Sequence, residues 1–185
     1  MKTILSHPNT LTLFRIAAVP IIVILMMFPN RMSTFIAALF FSAAAITDYF
    51  DGYIARRFGL VSNLGKVMDP VADKLLVSSA FIMLTALGWV AAWMVCIIIG
   101  REIAVTGLRN IIAAKGEDVS ASNLGKYKTG FQIAAIIPLM IHYPFFGLDV
   151  QAVGTFFLWG ALLFTLWSGA DYFIKFRMLL RTYPG

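Results

Sequence analysis

Asp48-Tyr49-Phe50-Asp51-Gly52-Tyr53-Ile54-Ala55-Arg56, then eight residues, then Gly65-Lys66-Val67-Met68-Asp69-Pro70-Val71-Ala72-Asp73: this stretch decides how the chain is read. It holds four of the nine acidic residues, in a sequence that is 60% hydrophobic and 13% charged. A soluble domain carries about 25% charged residues. Uncharged runs at 32–47, 75–100, 129–148 and 150–170 are long enough to be most or all of a bilayer span, and 75–100 holds parts of two. The composition therefore predicts an all-α integral membrane protein, and acids set into such a chain mark a working site.

Outward from that stretch, turn and cap residues divide the chain into six helices, roughly 8–28, 33–58, 64–87, 89–114, 124–142 and 149–180. Asn9 or Thr10 caps the first, Pro29-Asn30-Arg31 turns the chain, and Gly88 marks a tight turn between the third and fourth. The whole chain, 1–185, is expected to be one transmembrane catalytic domain. Arg15 interrupts the first apolar segment and no small-residue cleavage site follows, so a cleaved signal peptide is not expected. The lone Cys96 excludes an internal disulfide and argues against a thiolate metal site.

An even number of crossings puts both termini on one side. Fourteen of the fifteen Lys and Arg residues then fall on that side, with Arg31 alone opposite. The positive-inside rule makes the populated side cytoplasmic. It also accounts for the net charge of +6, so nucleic acid is not an expected partner. The expected location is the plasma or inner membrane of a bacterium, with the active site and both termini cytoplasmic.

Asp48 and Asp51 are three residues apart on one helix face, with Gly52 and Ala55 beside them; Asp69 and Asp73 are four apart on the next helix, with Gly65 one turn earlier. If those helices turn antiparallel, two carboxylate pairs face one gap. Unpaired, each carboxylate could cost up to about 2.5–3.5 kcal/mol at mid-bilayer, so a cation must share the space. Oxygen donors without nearby His or Cys favour Mg²⁺ or Mn²⁺, and four carboxylates accommodate two ions roughly 3.5–4 Å apart. Gly52, Ala55 and Gly65 leave room for a ligand, and Arg56 offers a planar fork for phosphate. The residues point to metal-assisted phosphoryl transfer at a membrane surface.

The pattern D-x2-D-G-x2-A-R-x8-G-x3-D-x3-D is matched at every position, and by it the chain resembles the CDP-alcohol phosphotransferases. That resemblance implies a six-helix membrane fold, a homodimer, and displacement of CMP from a CDP-linked donor. It implies Asp48, Asp51, Asp69 and Asp73 as metal ligands and Asp73 as the general base on the acceptor alcohol. It also implies Asn9, Asp51, Gly52, Ala55, Arg56 and Gly65 around the CDP-diacylglycerol donor.

The acceptor turns on other charges. Arg101, Arg109, Lys126 and Lys128 could line a positive cavity that selects an acceptor carrying its own phosphate, or they could be interfacial anchors. The stretches Pro8–Arg15, Gly100–Arg109, Gly125–Thr129 with Gln132, and Thr165–Ser168 resemble the branch of the family that uses glycerol 3-phosphate. That resemblance implies transfer of a phosphatidyl group to glycerol 3-phosphate. Serine or an inositol phosphate is the alternative acceptor, and a cation or proton transporter or an assembly protein is a remote one.

Weaker features stay open at this level. Asn9 and Thr12 either touch phosphate or cap a helix, and Arg15 either aids a diphosphate or snorkels to the interface. Tyr49 and Tyr53 are belt residues or pocket walls. Pro70 either aims the third-helix aspartates or kinks the helix to no effect. His142 reads as a loop residue rather than a catalyst, and Ser168 and Tyr172 either reach the cavity or pack, with packing the safer reading.

Overall fold

The computed structural model describes residues 8–58, 63–114, 123–144 and 147–182, with side chains for 12–47, 68–112, 125, 127–144, 147–174 and 177. Six helices follow in order: α1 (Pro8–Met27), α2 (Arg31–Phe58), α3 (Asn63–Ala86), α4 (Ala92–Ala114), α5 (Asn123–Ile141) and α6 (Val150–Thr182).

Local chemistry sets the ends. Asn30 Oδ1 accepts the backbone N–H groups of Met32 (3.0 Å) and Ser33 (2.9 Å), so α2 starts at Arg31, two residues before the expected Ser33. Gly88 has φ +72°, where only glycine is unstrained. Its N–H bonds Thr85 O (2.9 Å) and the Trp89 N–H bonds Leu84 O (2.9 Å), the paired pattern that closes a helix on a left-handed residue. Because Trp89 is spent in that closure, α4 begins at Ala92 and not at the expected 89. Nothing in the apolar run announces this shift.

The same end carries a polar tie. His142, with φ 57°, stacks on Trp89 at 3.8 Å and its Nδ1 lies 2.9 Å from Gln151 Oε1, while Gln151 Nε2 donates to Trp89 O (3.0 Å). The α3–α4 turn, the end of α5 and the start of α6 are thereby fastened together. His142 is a loop residue with a structural task.

α1 packs against α2 and α3, and α5 packs against α6 and α2. Phe41, Phe81, Leu84, Ile136 and Leu139 have no exposed surface in the resulting core. Two glycines let α5 and α6 approach: a Cβ on Gly154 would stand 2.9 Å from Leu139 N, and one on Gly160 would stand 2.5 Å from the Phe131 ring.

Large apolar side chains also face outward, and a few polar ones are buried at one end. On α6, Phe156, Trp159, Leu163, Trp167 and Phe173 face outward, while Thr12, Arg15, Lys128, Gln132, Thr165 and Ser168 are buried. Among the described residues, one helix, over Val150–Ile174, is long and apolar enough by composition to cross a membrane; Thr12–Met27, Arg31–Thr47 and Tyr127–Ile141 are shorter apolar helices.

The α5–α6 approach is testable. Gly154→Val drives a branched side chain into backbone that cannot yield, at a cost of about 1–3 kcal/mol, which lowers the melting temperature of the purified protein by roughly 2–12 °C. Gly107, with nothing within 4 Å of an added Cβ, is the control. Gly107→Ala should hold or raise the melting temperature.

Candidate active site

Asp69 and Asp73 lie one turn apart on α3, with Pro70 between them. α1 meets Asp69 with two side chains from one face: Thr12 Oγ1 donates to Asp69 Oδ1, and Arg15 Nη2 lies 3.3 Å from the same oxygen. The Arg15 side chain is 1% exposed and that of Asp69 is 43% exposed. An arginine that deep is tolerated only when paired. Arg15 therefore does not snorkel to an interface, and Thr12 is no cap. Both fix a carboxylate.

Since Thr12 and Arg15 converge on Oδ1, the other Asp69 oxygen takes no hydrogen bond from described residues. A half-exposed carboxylate, with another one turn on and no Cys or His beside it, is a donor set suited to a hard divalent ion. The α3 half of the expected metal site thus fits such an ion. Among the described residues no group of three potential ligands gathers. Asp48 and Asp51, the expected α2 half, have side chains outside the described residues. So do Asn9, Gly52, Ala55, Arg56, Gly65, Lys126, Tyr49 and Tyr53.

A second cluster joins α4, α5 and α6. Glu102 Oε1 lies 3.1 Å from Arg101 Nη1 and also accepts from Lys128 Nζ, with all three side chains at least four-fifths buried. Arg101 Nη2 donates to Ser168 Oγ (2.8 Å), whose own proton goes to Phe164 O (2.6 Å). Gly169 makes room for this arginine, because a Cβ there would stand 3.2 Å from Arg101 Cγ. Arg109 Nη2 donates to Tyr172 Oη (2.7 Å). The guanidinium carbons of Arg101 and Arg109 lie 5.9 and 5.6 Å from the centre of the Tyr172 ring. Their eight-residue spacing does bring both arginines to one place. Lys128 is near enough to Asp73 for that carboxylate's charge to reach it, although its ion pair is with Glu102.

Ser168 and Tyr172 do more than pack: four residues apart on α6, they hold the two arginines. Glu102 is the hub of the cluster, and its only sequence signal is an acid directly after Arg101 at the end of an apolar run. Two cations, Arg101 and Lys128, share the Glu102 carboxylate, and Arg109 meets Arg101 at the Tyr172 ring. Such a cluster offers an anion more attraction than repulsion.

The comparisons bear on this geometry. The family model described as CDP-alcohol phosphatidyltransferase matches residues 5–167. The chain belongs to this family. Among similar proteins, one from Bacillus subtilis is named CDP-diacylglycerol--glycerol-3-phosphate 3-phosphatidyltransferase and is 44% identical, covering 95% of this chain and 97% of its own length. Proteins of the same name from Rickettsia bellii and Escherichia coli K12 are 39% and 37% identical, covering 94% and 89% of this chain and 96% and 91% of their own. The family match takes in Thr12, Arg15 and Asp69 together with Arg101, Glu102, Arg109 and Lys128, while Ser168 and Tyr172 lie just past its last residue.

The α1–α3 contact gives a direct test. In a double-mutant cycle, Arg15→Met should cost less stability in an Asp69→Asn background than in the parent, with a coupling of about 0.5–3 kcal/mol. Unfolding of the four proteins measures it; additive effects would mean that Asp69 is not what holds Arg15.

Proposed function

We propose that this protein transfers the phosphatidyl group of CDP-diacylglycerol to sn-glycerol 3-phosphate, giving phosphatidylglycerophosphate and CMP. The observation that carries this is near-full-length similarity, at 37–44% identity, to proteins named for that transfer. The Arg101–Glu102–Lys128 cluster supports it, since an acceptor bearing phosphate is what such a cationic pocket would select over free serine.

The whole chain is taken as one catalytic unit crossing a bacterial plasma or inner membrane six times. The outward apolar faces and inward polar layer support a lipid surround, as does a backbone whose hydrogen bonds are met within helices. The Lys and Arg distribution supports a cytoplasmic position for the termini and both clusters. The working form is taken to be a homodimer.

Asp48, Asp51, Asp69 and Asp73 would hold Mg²⁺ or Mn²⁺, two ions in all, with Thr12 and Arg15 orienting Asp69. Bound ions would neutralise the donor's pyrophosphate and the departing CMP. Asn9, Asp51, Gly52, Ala55, Arg56 and Gly65 would receive the donor, the small residues by leaving space and Arg56 by bonding phosphate. Arg101, Arg109, Lys126 and Lys128 would bind the acceptor's phosphate, and for the two buried cations this requires Glu102 to share them. Asp73 would take the proton of the acceptor's primary hydroxyl as its oxygen bonds the β-phosphorus. The bond from that phosphorus to CMP breaks, and CMP keeps the electron pair.

Purified protein with CDP-diacylglycerol and Mg²⁺ or Mn²⁺ should release CMP when glycerol 3-phosphate is added and not when serine or inositol phosphate is added. Release with serine alone would remove the acceptor assignment, and no release with any acceptor would remove the activity. Asp73→Asn should lower kcat by roughly 10²–10⁴-fold while donor binding persists. Arg101→Ala should chiefly raise the KM for glycerol 3-phosphate; an unchanged KM would return Arg101 to a structural role.

A further inference from the structure

Buried hydrogen-bonding atoms are almost always paired, so those that are not call for a partner. Three such atoms come from three different helices of the second cluster: Arg101 Nε on α4, Gln132 Nε2 on α5 and Thr165 Oγ1 on α6. Gln132 is 2% exposed and Thr165 is 0% exposed. Gln132 lies one turn beyond Lys128, and Thr165 one turn before Ser168, the residue that Arg101 grips. Phe131 and Phe164 meet at 4.9 Å, which puts their neighbours Gln132 and Thr165 at one height of the antiparallel α5–α6 pair.

Thr165 also departs from the pattern of most described threonines. Thr34, Thr47, Thr85, Thr106, Thr129 and Thr155 each donate the side-chain hydroxyl to the carbonyl four residues back. That is the default for a helical threonine away from water. Thr165 does not do so, and its hydroxyl stays unmatched inside the bundle.

We propose that Gln132 and Thr165 form a neutral subsite, one turn deeper than Lys128 and Ser168, that binds the non-reacting secondary hydroxyl of the acceptor. This rests on the acceptor proposed above and goes beyond it by assigning residues to a hydroxyl instead of the phosphate. The charges of Arg101 and Lys128 suit the phosphate; a neutral amide and a hydroxyl suit a neutral alcohol. A secondary hydroxyl accepts from Gln132 Nε2 and donates to Thr165 Oγ1, so both atoms are matched at once. Arg101 Nε adds a donor at the boundary between phosphate and carbon chain. Gln132 and Thr165 are thus specificity-determining residues.

The test compares glycerol 3-phosphate with 3-hydroxypropyl phosphate, which keeps the phosphate and the reacting hydroxyl and lacks the secondary one. The wild-type protein should favour glycerol 3-phosphate by roughly tenfold or more in kcat/KM, as a matched hydrogen bond implies. In Gln132→Met and in Thr165→Val, both close in shape, that ratio should fall toward one. Thr165→Val should also keep or raise the melting temperature, since it deletes an unmatched buried hydroxyl. An undiminished ratio in both variants would overturn the proposal, as would a lowered melting temperature in Thr165→Val with the ratio intact, the mark of a structural water. If the wild-type protein released CMP with neither phosphate acceptor, the acceptor itself would be wrong, a failure distinct from a retained ratio.

Discussion

Charge buried among hydrocarbon is the constraint on which the polar end of this bundle depends. Arg15, Arg101 and Lys128 sit where a lone cation would cost several kcal/mol, and each is brought to a carboxylate carried by another residue. Asp69 and Glu102 solve this in the same way, each receiving two donors on one oxygen. One arrangement couples α1 to α3 and the other couples α4 to α5. Ser168 and Tyr172 then draw α6 onto the arginines. The side chains that would carry out chemistry are therefore also those that set how the helices meet at this end.

The opposite end is held by other means. Trp89, His142 and Gln151 form a compact tie between two turns, and Gly154 and Gly160 let α5 and α6 close on Leu139 and Phe131. Neutral hydrogen bonds and close packing hold that end, with no ion pair among the described residues of the tie. Register fixed at the far end reaches the polar end through rigid helices, so Gln132 and Thr165 arrive at one height without bonding each other.

The helices are largely legible because turn residues separate them, Pro29-Asn30-Arg31 and Gly88 among them, whereas the capping by Asn30 and Asp149 emerges only in the structure. The start of α4 is not legible, because the closure at Gly88 and Trp89 consumes residues that look like ordinary apolar helix. The aspartate spacing identified a site, yet nothing in it says that Thr12 and Arg15, more than fifty residues earlier, hold Asp69. That contact, like the role of Glu102, exists only once helices pack. Ser168 and Tyr172 stay undecided in the sequence because a polar residue on an apolar helix reads the same whether it packs or holds a buried arginine.

The self-bonded threonines alter what hydropathy means for this chain. A hydroxyl folded onto its own backbone presents mainly its methyl group to neighbours, so Thr34, Thr85 and Thr155 behave toward their surroundings more like valine than their composition implies. Scales that score side chains one at a time count such groups as polar and undercount the apolar character that helices such as α2 and α3 show to what surrounds them. Polarity here is a property of conformation, and Thr165 is polar to its surroundings because its hydroxyl is not bonded to the carbonyl four residues back.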